Sequence, residues 1–236
     1  MNLTKYKTGS KFLIIMFFIF SPWSSTFALY GDTAVQDTLK ENQTLYNGKI
    51  WRNIYYLIKE DQFLFSKEFL PGTVSVRGKL FPGVLLKYDI YRDELITPVD
   101  KGVLLQLNKE RIDSFSLSFQ NKTYRFIKAE EDSVKGDESF FNVLYKGNTA
   151  LLVRYTKKIE KMAVEGKYDK FYQISRIYLE KGNGLFQVTG KKDLMKLMAE
   201  HKTAISDYMK TNKIRVTEKA PESFVPVVRF YDSLSQ

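Results

Sequence analysis

The feature that most restricts the fold of this chain is a long series of short runs in which apolar and polar residues alternate. Gly, Asn, Asp and Pro separate the runs. From Ser114 to Phe119 the alternation is strict, with Phe115, Leu117 and Phe119 set against Ser114, Ser116 and Ser118. A period of two sends successive side chains to opposite faces, so this segment is a strand with one wet and one dry face. Val84, Leu86, Tyr88 and Ile90 alternate in the same way with Leu85, Lys87, Asp89 and Tyr91. Gln120-Asn121-Lys122 separates the first run from Tyr124-Arg125-Phe126, a spacing that predicts a hairpin. Further strands are expected near 53–58, 62–66, 73–77, 103–107, 171–179 and 185–189. Connections this short require antiparallel pairing, because a parallel neighbour needs a crossover of roughly a dozen residues.

The stretch FFNVLYKGNTALLVRY, residues 140–155, is apolar on both sides. Built around a turn at Lys146-Gly147-Asn148, it places Phe141, Val143 and Tyr145 opposite Leu151, Val153 and Tyr155. Phe140, Asn142 and Leu144 then share the second face with Leu152 and Arg154. Both faces need cover. The natural source lies after Gly190, where the period changes. Leu194, Met198, His201, Ile205 and Tyr208 follow helical steps, with Asp193 as a cap and a break expected near Ala199-Glu200. Phe224, Val227, Val228, Tyr231 and Leu234 form a second stripe, with Ser223 as the expected N-cap and Pro226 in the first turn. Strands first and helices last predict an α+β fold. It would be mainly an antiparallel β meander (a curled sheet, sandwich or half-barrel) with two or three C-terminal helices packed on it.

The chain begins with a basic, acid-free segment, then the apolar run Phe12–Phe20, then SPWSSTFA. This is the pattern of a secretory signal peptide over 1–28, too short in its apolar part to span a bilayer. Residues 29–45 read as a flexible lead-in, and 46–236 as one β-rich domain with strands over 46–189 and helices over 190–236. Cleavage near Ala28 would remove Lys5, Lys7 and Lys11 from a chain of formal net charge +10, leaving about +7. A single domain of this size buries about 70% of its unfolded surface, which fits a cysteine count of zero. Export would make nucleic acid a poor partner.

Residue types limit the chemistry. Without cysteine there is no thiol nucleophile or thiolate metal site. The one histidine, His201, falls on an apolar helix stripe rather than beside a serine. The acids of KYDIYRDEL, residues 87–95, leave a carboxylate pair involving Asp89 or Asp93 as a possible hydrolytic centre, with cross-strand ion pairing as the ordinary use of such charges. Glu130, Glu131, Asp132, Asp137 and Glu138 read as solvated loop. VTGKKDL, residues 188–194, superficially resembles a phosphate loop, but Lys192 stands where Ser or Thr would hold magnesium. No catalytic residue, cofactor or metal is therefore assigned. RYTKKIEKMAVEGKYDK, residues 154–170, reads as a long basic loop. Its Arg154, Lys157, Lys158, Lys161, Lys167 and Lys170 are the candidate partner-binding residues, suited to an anionic envelope surface.

Trp51-Arg52-Asn53, Phe63-Leu64-Phe65, Lys87-Tyr88-Asp89-Ile90-Tyr91, Asn142-Val143-Leu144-Tyr145, Tyr168-Asp169-Lys170-Phe171 and Tyr231-Asp232-Ser233-Leu234 occur in that order. Over roughly residues 45–235 the chain resembles an uncharacterised family of exported β-rich proteins of Bacteroidota, which has no assigned activity. The resemblance implies a periplasmic or outer-membrane-peripheral location. It also draws notice to short Asp-Ser/Thr-aliphatic triplets at Asp32, Asp37, Asp132 and Asp232, the kind at which such bacteria O-glycosylate exported proteins. Residue types and resemblance together lead to the expectation of a non-catalytic envelope protein that binds a protein or glycan partner. A periplasmic carrier of an apolar ligand in a half-barrel and a carboxylate-dependent hydrolase are the alternatives.

Overall fold

The computed structural model describes residues 43–128, 139–161 and 169–234, so the expected signal peptide and most of the lead-in lie outside the described residues. The strands are β1 (Gly48–Ile50), β2 (Leu70–Val76), β3 (Lys79–Asp89), β4 (Glu94–Pro98), β5 (Leu104–Leu107) and β6 (Ile112–Phe119). They continue with β7 (Lys122–Lys128), β8 (Phe140–Lys146), β9 (Ala150–Glu160), β10 (Lys170–Lys181) and β11 (Gly184–Val188). They form one sheet in the order β1-β5-β4-β3-β2-β6-β7-β8-β9-β10-β11, antiparallel at every pairing. The helices follow: α1 (Lys191–Leu197), a 3-10 turn at Ala199–His201, α2 (Lys202–Thr211), a 3-10 turn at Pro221–Phe224, and α3 (Val225–Leu234). The architecture is α+β, and the helix break falls where the sequence places it.

Turn chemistry explains much of the meander. β6 and β7 are joined by Gln120-Asn121 with φ of 49° and 59°, and β2 and β3 by Arg77-Gly78 with φ of 51° and 78°. Two consecutive positive φ values make the turn whose twist matches a hairpin. β3 then serves two neighbours. It pairs with β2 as far as Leu86 and with β4 from Lys87 onward. Gly83, at φ +70°, is the extra residue of a bulge opposite Gly72 and Thr73, which bends the strand there.

The sheet curls without closing. No ladder joins β3 to β9, but the Lys157 N–H donates to the Ile90 carbonyl at 3.1 Å. The Lys157 ammonium reaches the backbone oxygens of Asp61 (2.6 Å) and Phe63 (2.8 Å) and Asp61 Oδ1 (3.2 Å). The segments expected as strands near 53–58 and 62–66 are irregular instead. They join the sheet only by isolated bridges, Lys59 with Lys170 and Phe63 with Asp89. Their apolar residues run together without alternation, and Tyr55, Phe63 and Leu64 pack inward while their neighbours do not.

The curl encloses a core of Val74, Val76, Leu86, Tyr88, Phe115, Leu117, Phe126 and Phe140. A second core lies between β9–β11 and the helices, with Leu151, Val153, Ile177, Leu179 and Val188 under Leu194, Met198, Ile205, Met209, Phe224, Val227, Val228 and Tyr231. The 140–155 hairpin differs from its expected register. Val143 pairs with Leu152 and Tyr145 with Leu151, so Leu144 is an extra, bulged residue, and the turn is Gly147-Asn148-Thr149. Leu152 therefore joins Phe141 and Ala150 on the face away from the helices, while Leu151 and Val153 face them. A slip of one residue exchanges the faces of a strand.

The last helix is fixed from both ends. The Asp232 carboxylate, only 3% exposed, accepts the Thr149 N–H at 3.1 Å and its hydroxyl at 2.8 Å. Ser223 is not the simple N-cap expected. Its hydroxyl accepts the Thr217 N–H at 3.1 Å and donates to the Ala220 carbonyl at 2.6 Å, bracing the 3-10 turn instead.

Candidate binding surface

The residues at 154–160 form the second half of β9, not a loop, and this divides the expected basic cluster. On a strand, Lys157 and Lys158 must point opposite ways. Lys157 faces inward and is used in the seam described above. Arg154 and Lys158 lie on the face away from the helices, opposite Arg176 and Tyr172 of β10. Lys170 pairs with Glu160 across the same two strands, Nζ to Oε2 at 3.1 Å. Lys158 and Lys161 are exposed, and Tyr172 is 41% exposed. Arg154 lies higher on the face, 6.0 Å above the Phe141 ring. Lys167 is outside the described residues. The structure thus gathers Lys158, Lys161, Lys170 and Tyr172 at the open end of β9–β10, separates Arg154 along the strand, and removes Lys157 to the interior.

That face becomes dry toward its middle. Phe141, Ala150 and Leu152 are buried there, flanked by Ile127, Val143, Tyr178 and Leu185, and Phe141 meets the Tyr178 ring edge-on at 5.4 Å. The wet end therefore rests on a packed base, which holds Lys158 and Tyr172 in fixed register.

A second surface feature was not legible in the sequence. Tyr55–Ile58 is a β-turn closed by the Ile58 N–H to the Tyr55 carbonyl at 3.0 Å. Its central residues, Tyr56 and Leu57, are 75% and 69% exposed, and Ile54 is 61% exposed. The base is locked. The Tyr55 ring meets Tyr91 at 5.1 Å and Phe171 at 5.7 Å, and those two meet each other at 5.3 Å. The Lys59 N–H donates to the Asp169 carbonyl (2.8 Å), and the Phe171 N–H to the Lys59 carbonyl (3.0 Å). The available signal was the unbroken apolar run IYYLI, residues 54–58, which lacks the alternation of the true strands.

The acids of 87–95 do not form an open pair. Asp89 is fully buried, and its Oδ1 accepts the N–H groups of Tyr91 (2.9 Å) and Arg92 (3.0 Å), bracing the β3–β4 turn. Desolvation pushes its carboxyl up to about 6, and Glu94, its cross-strand neighbour, adds to the rise. Asp89 Oδ2 and Glu94 Oε2 have no hydrogen-bond partner. Asp93 is committed elsewhere, accepting from the Tyr88 hydroxyl (2.5 Å) and Lys109 Nζ (2.6 Å). Burial and the adjacent Asp93 charge hold the Tyr88 hydroxyl well above the usual phenol range.

The phosphate-loop-like segment is also satisfied from within. Lys191, Lys192, Lys196 and Lys202 rim a surface depression of about 980 Å³, but the Asp193 carboxylate at its edge accepts the Thr189 N–H (2.8 Å) and hydroxyl (2.7 Å). Those bonds hold Asp193 below the usual carboxylate range. The other two described cavities, of about 440 and 410 Å³, each have one carboxylate in their lining, Glu110 and Glu218.

His201 is half-buried and lies edge-on to Tyr231 at 5.9 Å. Beside it, Glu200 accepts from Lys181 and Tyr231 at 2.6 Å each, and these bonds hold its carboxyl down to about 2. Among the described residues no group of three or more His, Asp or Glu side chains is placed to hold a metal ion. Of the four Asp-Ser/Thr triplets, only that at Asp232 falls among the described residues, with its aspartate buried in α3 and Ser233 exposed. The chain matches no family model, no curated protein and no solved structure.

Proposed function

We propose that this is an exported, non-catalytic protein of the cell envelope that works by attachment, holding a protein or glycan partner on the helix-free face of β9–β10. The observation that carries the reading is the cross-strand rung of Lys158 and Tyr172, exposed beside Lys170 and Lys161 and fixed in register by eleven consecutive residue pairs between the two strands. An exposed aromatic ring beside ammonium groups can stack on a sugar or pack on a peptide while the cations meet carboxylates or phosphates. A rigid sheet face loses little entropy on binding.

The two alternatives fare less well against the geometry. A carrier needs a lumen, and the curled sheet is filled by Tyr88, Phe115, Phe126 and Phe140, with ring centroids 4.6–6.2 Å apart. A carboxylate-pair hydrolase needs acids open to substrate, and Asp89 is sealed in a turn. The test is capture of partners from envelope extracts by the protein and by a Lys158→Glu/Tyr172→Ala double variant. Specific capture lost in the variant supports the reading. Equal capture by both would move the site elsewhere, and absence of any specific partner would count against attachment.

A further inference from the structure

The Tyr56–Leu57 turn is unlike other turns in the chain. Central turn positions normally carry Gly, Pro, Asn, Asp or Ser, as at Arg77-Gly78 and Gln120-Asn121. Here an aromatic and an aliphatic residue occupy them and face solvent, with Ile54 exposed beside them and Ile50 64% exposed on β1. Isolated exposed apolar residues need no explanation, but four within eight positions make a patch. Nor is this a loose loop, because Tyr55 is clamped between Tyr91 and Phe171, and Lys59 is bonded to β10 on both its N–H and its carbonyl. The tip is held out, not left out.

Charge identifies the occupant. Arg52 and Lys59 flank the tip within the same segment, and Lys170 sits across the bridge from Lys59, against Glu60, Asp169 and the Glu160 that pairs with Lys170. Behind this local balance stands a chain of formal net charge +10. An apolar tip backed by long cationic side chains matches the layering of a bilayer edge. Tyr and Leu enter the boundary between headgroups and acyl chains, while Arg and Lys extend back to lipid phosphates. A convex tip needs no matching pocket in a fluid surface.

We propose that the Tyr55–Ile58 turn is a membrane anchor that inserts Tyr56 and Leu57 into the interface of an anionic lipid leaflet. It is separate from the β9–β10 face and stands whether or not that face holds a partner. The absence of cysteine from the chain makes the test direct. A Leu57→Cys variant of the full chain gives one attachment point for an environment-sensitive fluorophore, and Leu80→Cys, at a 66% exposed position on β3, gives the control. Both are titrated with phosphatidylcholine vesicles with and without phosphatidylglycerol, some carrying a quencher on the acyl chains. The expected result is a blue shift and quenching at position 57 on anionic vesicles, a weaker response on neutral ones, and silence at position 80. Adding Tyr56→Ser to the labelled chain should weaken the position-57 response about tenfold. Silence at 57, or the same response at 57 and 80 as binding through the apolar N-terminal run would give, overturns the proposal. So does an equal response on neutral and anionic vesicles. A position-57 probe that is silent on vesicles but shielded in the partner complex would assign the turn to a protein interface and also overturn it.

Discussion

The two cores of this protein solve the same burial problem with different materials. Where the sheet curls over itself, between β2, β3, β6, β7 and β8, the filling is aromatic. Phe115 and Phe126 stack at 4.6 Å, with Tyr88 and Phe140 edge-on around them. Where helices cover β9–β11, the filling is aliphatic and sulfur-rich: Val153, Ile177, Leu179 and Val188 below, Met195, Met198, Met209, Val227 and Val228 above. Tyr155 packs against both. A curled sheet fixes the distance between its walls through its hydrogen bonds, so large rigid rings of the right size must span it. A helix roof can settle onto its floor, and unbranched thioethers fill whatever gaps remain.

The sharpest way to break this contrast is to truncate one residue in each core. Phe126→Ala should cost about 3–5 kcal/mol in urea unfolding, because the walls cannot close on the cavity. Met209→Leu, equally deep in the other core, should cost less than about 1.5 kcal/mol. Equal losses would mean the two fillings are equivalent. The link between helix roof and sheet comes next. Asp232→Ala strands the Thr149 N–H and hydroxyl in a buried site, for an expected loss of about 1–3 kcal/mol. Amide exchange should accelerate in the β8–β9 turn and α3 while β6 and β7 stay protected. Acceleration throughout would show that the two regions open as one.

The smallest effect has the opposite sign. Burial raises the Asp89 carboxyl from 3.8 to about 6 in the folded chain. Between those values the folded state keeps a proton that the unfolded state has lost, so this group lowers stability as pH rises from about 4 to 6. Asp89→Asn retains the oxygen that accepts the Tyr91 and Arg92 amides and removes the buried charge. It should gain about 1–2 kcal/mol at neutral pH and nothing below about pH 4, read from denaturation midpoints across that range. A loss at neutral pH would show that the ionised carboxylate is needed in the turn.

The period-two alternation and the change of period at Gly190 carried the fold class, and the Gln120-Asn121 hairpin was visible by spacing. What escaped the sequence depends on single-residue choices. Nothing in FFNVLYKGNTALLVRY marks Leu144 as the extra residue, yet that bulge decides which of Leu151 and Leu152 faces the helices. The basic run at 154–170 was visible as charge but not as strand, because Tyr155, Thr156 and Ile159 are too sparse among the lysines to set a period. Whether Lys157 points in or out followed only from where β9 begins. The Tyr56–Leu57 tip was hidden because an unbroken apolar run reads equally as a buried strand.

Lys157 gives the molecule a seam in place of a weld. Elsewhere adjoining strands are fastened by rows of backbone bonds, but the approach of β9 to the end of β3 and the 61–63 segment depends on this one residue, through its amide and its ammonium. Such a fastening parts in a single step when pulled, whereas a ladder must be peeled rung by rung. Mechanical load or a chemical change that neutralises that amine would therefore unbutton the curl at a defined place and leave the rest of the sheet in register.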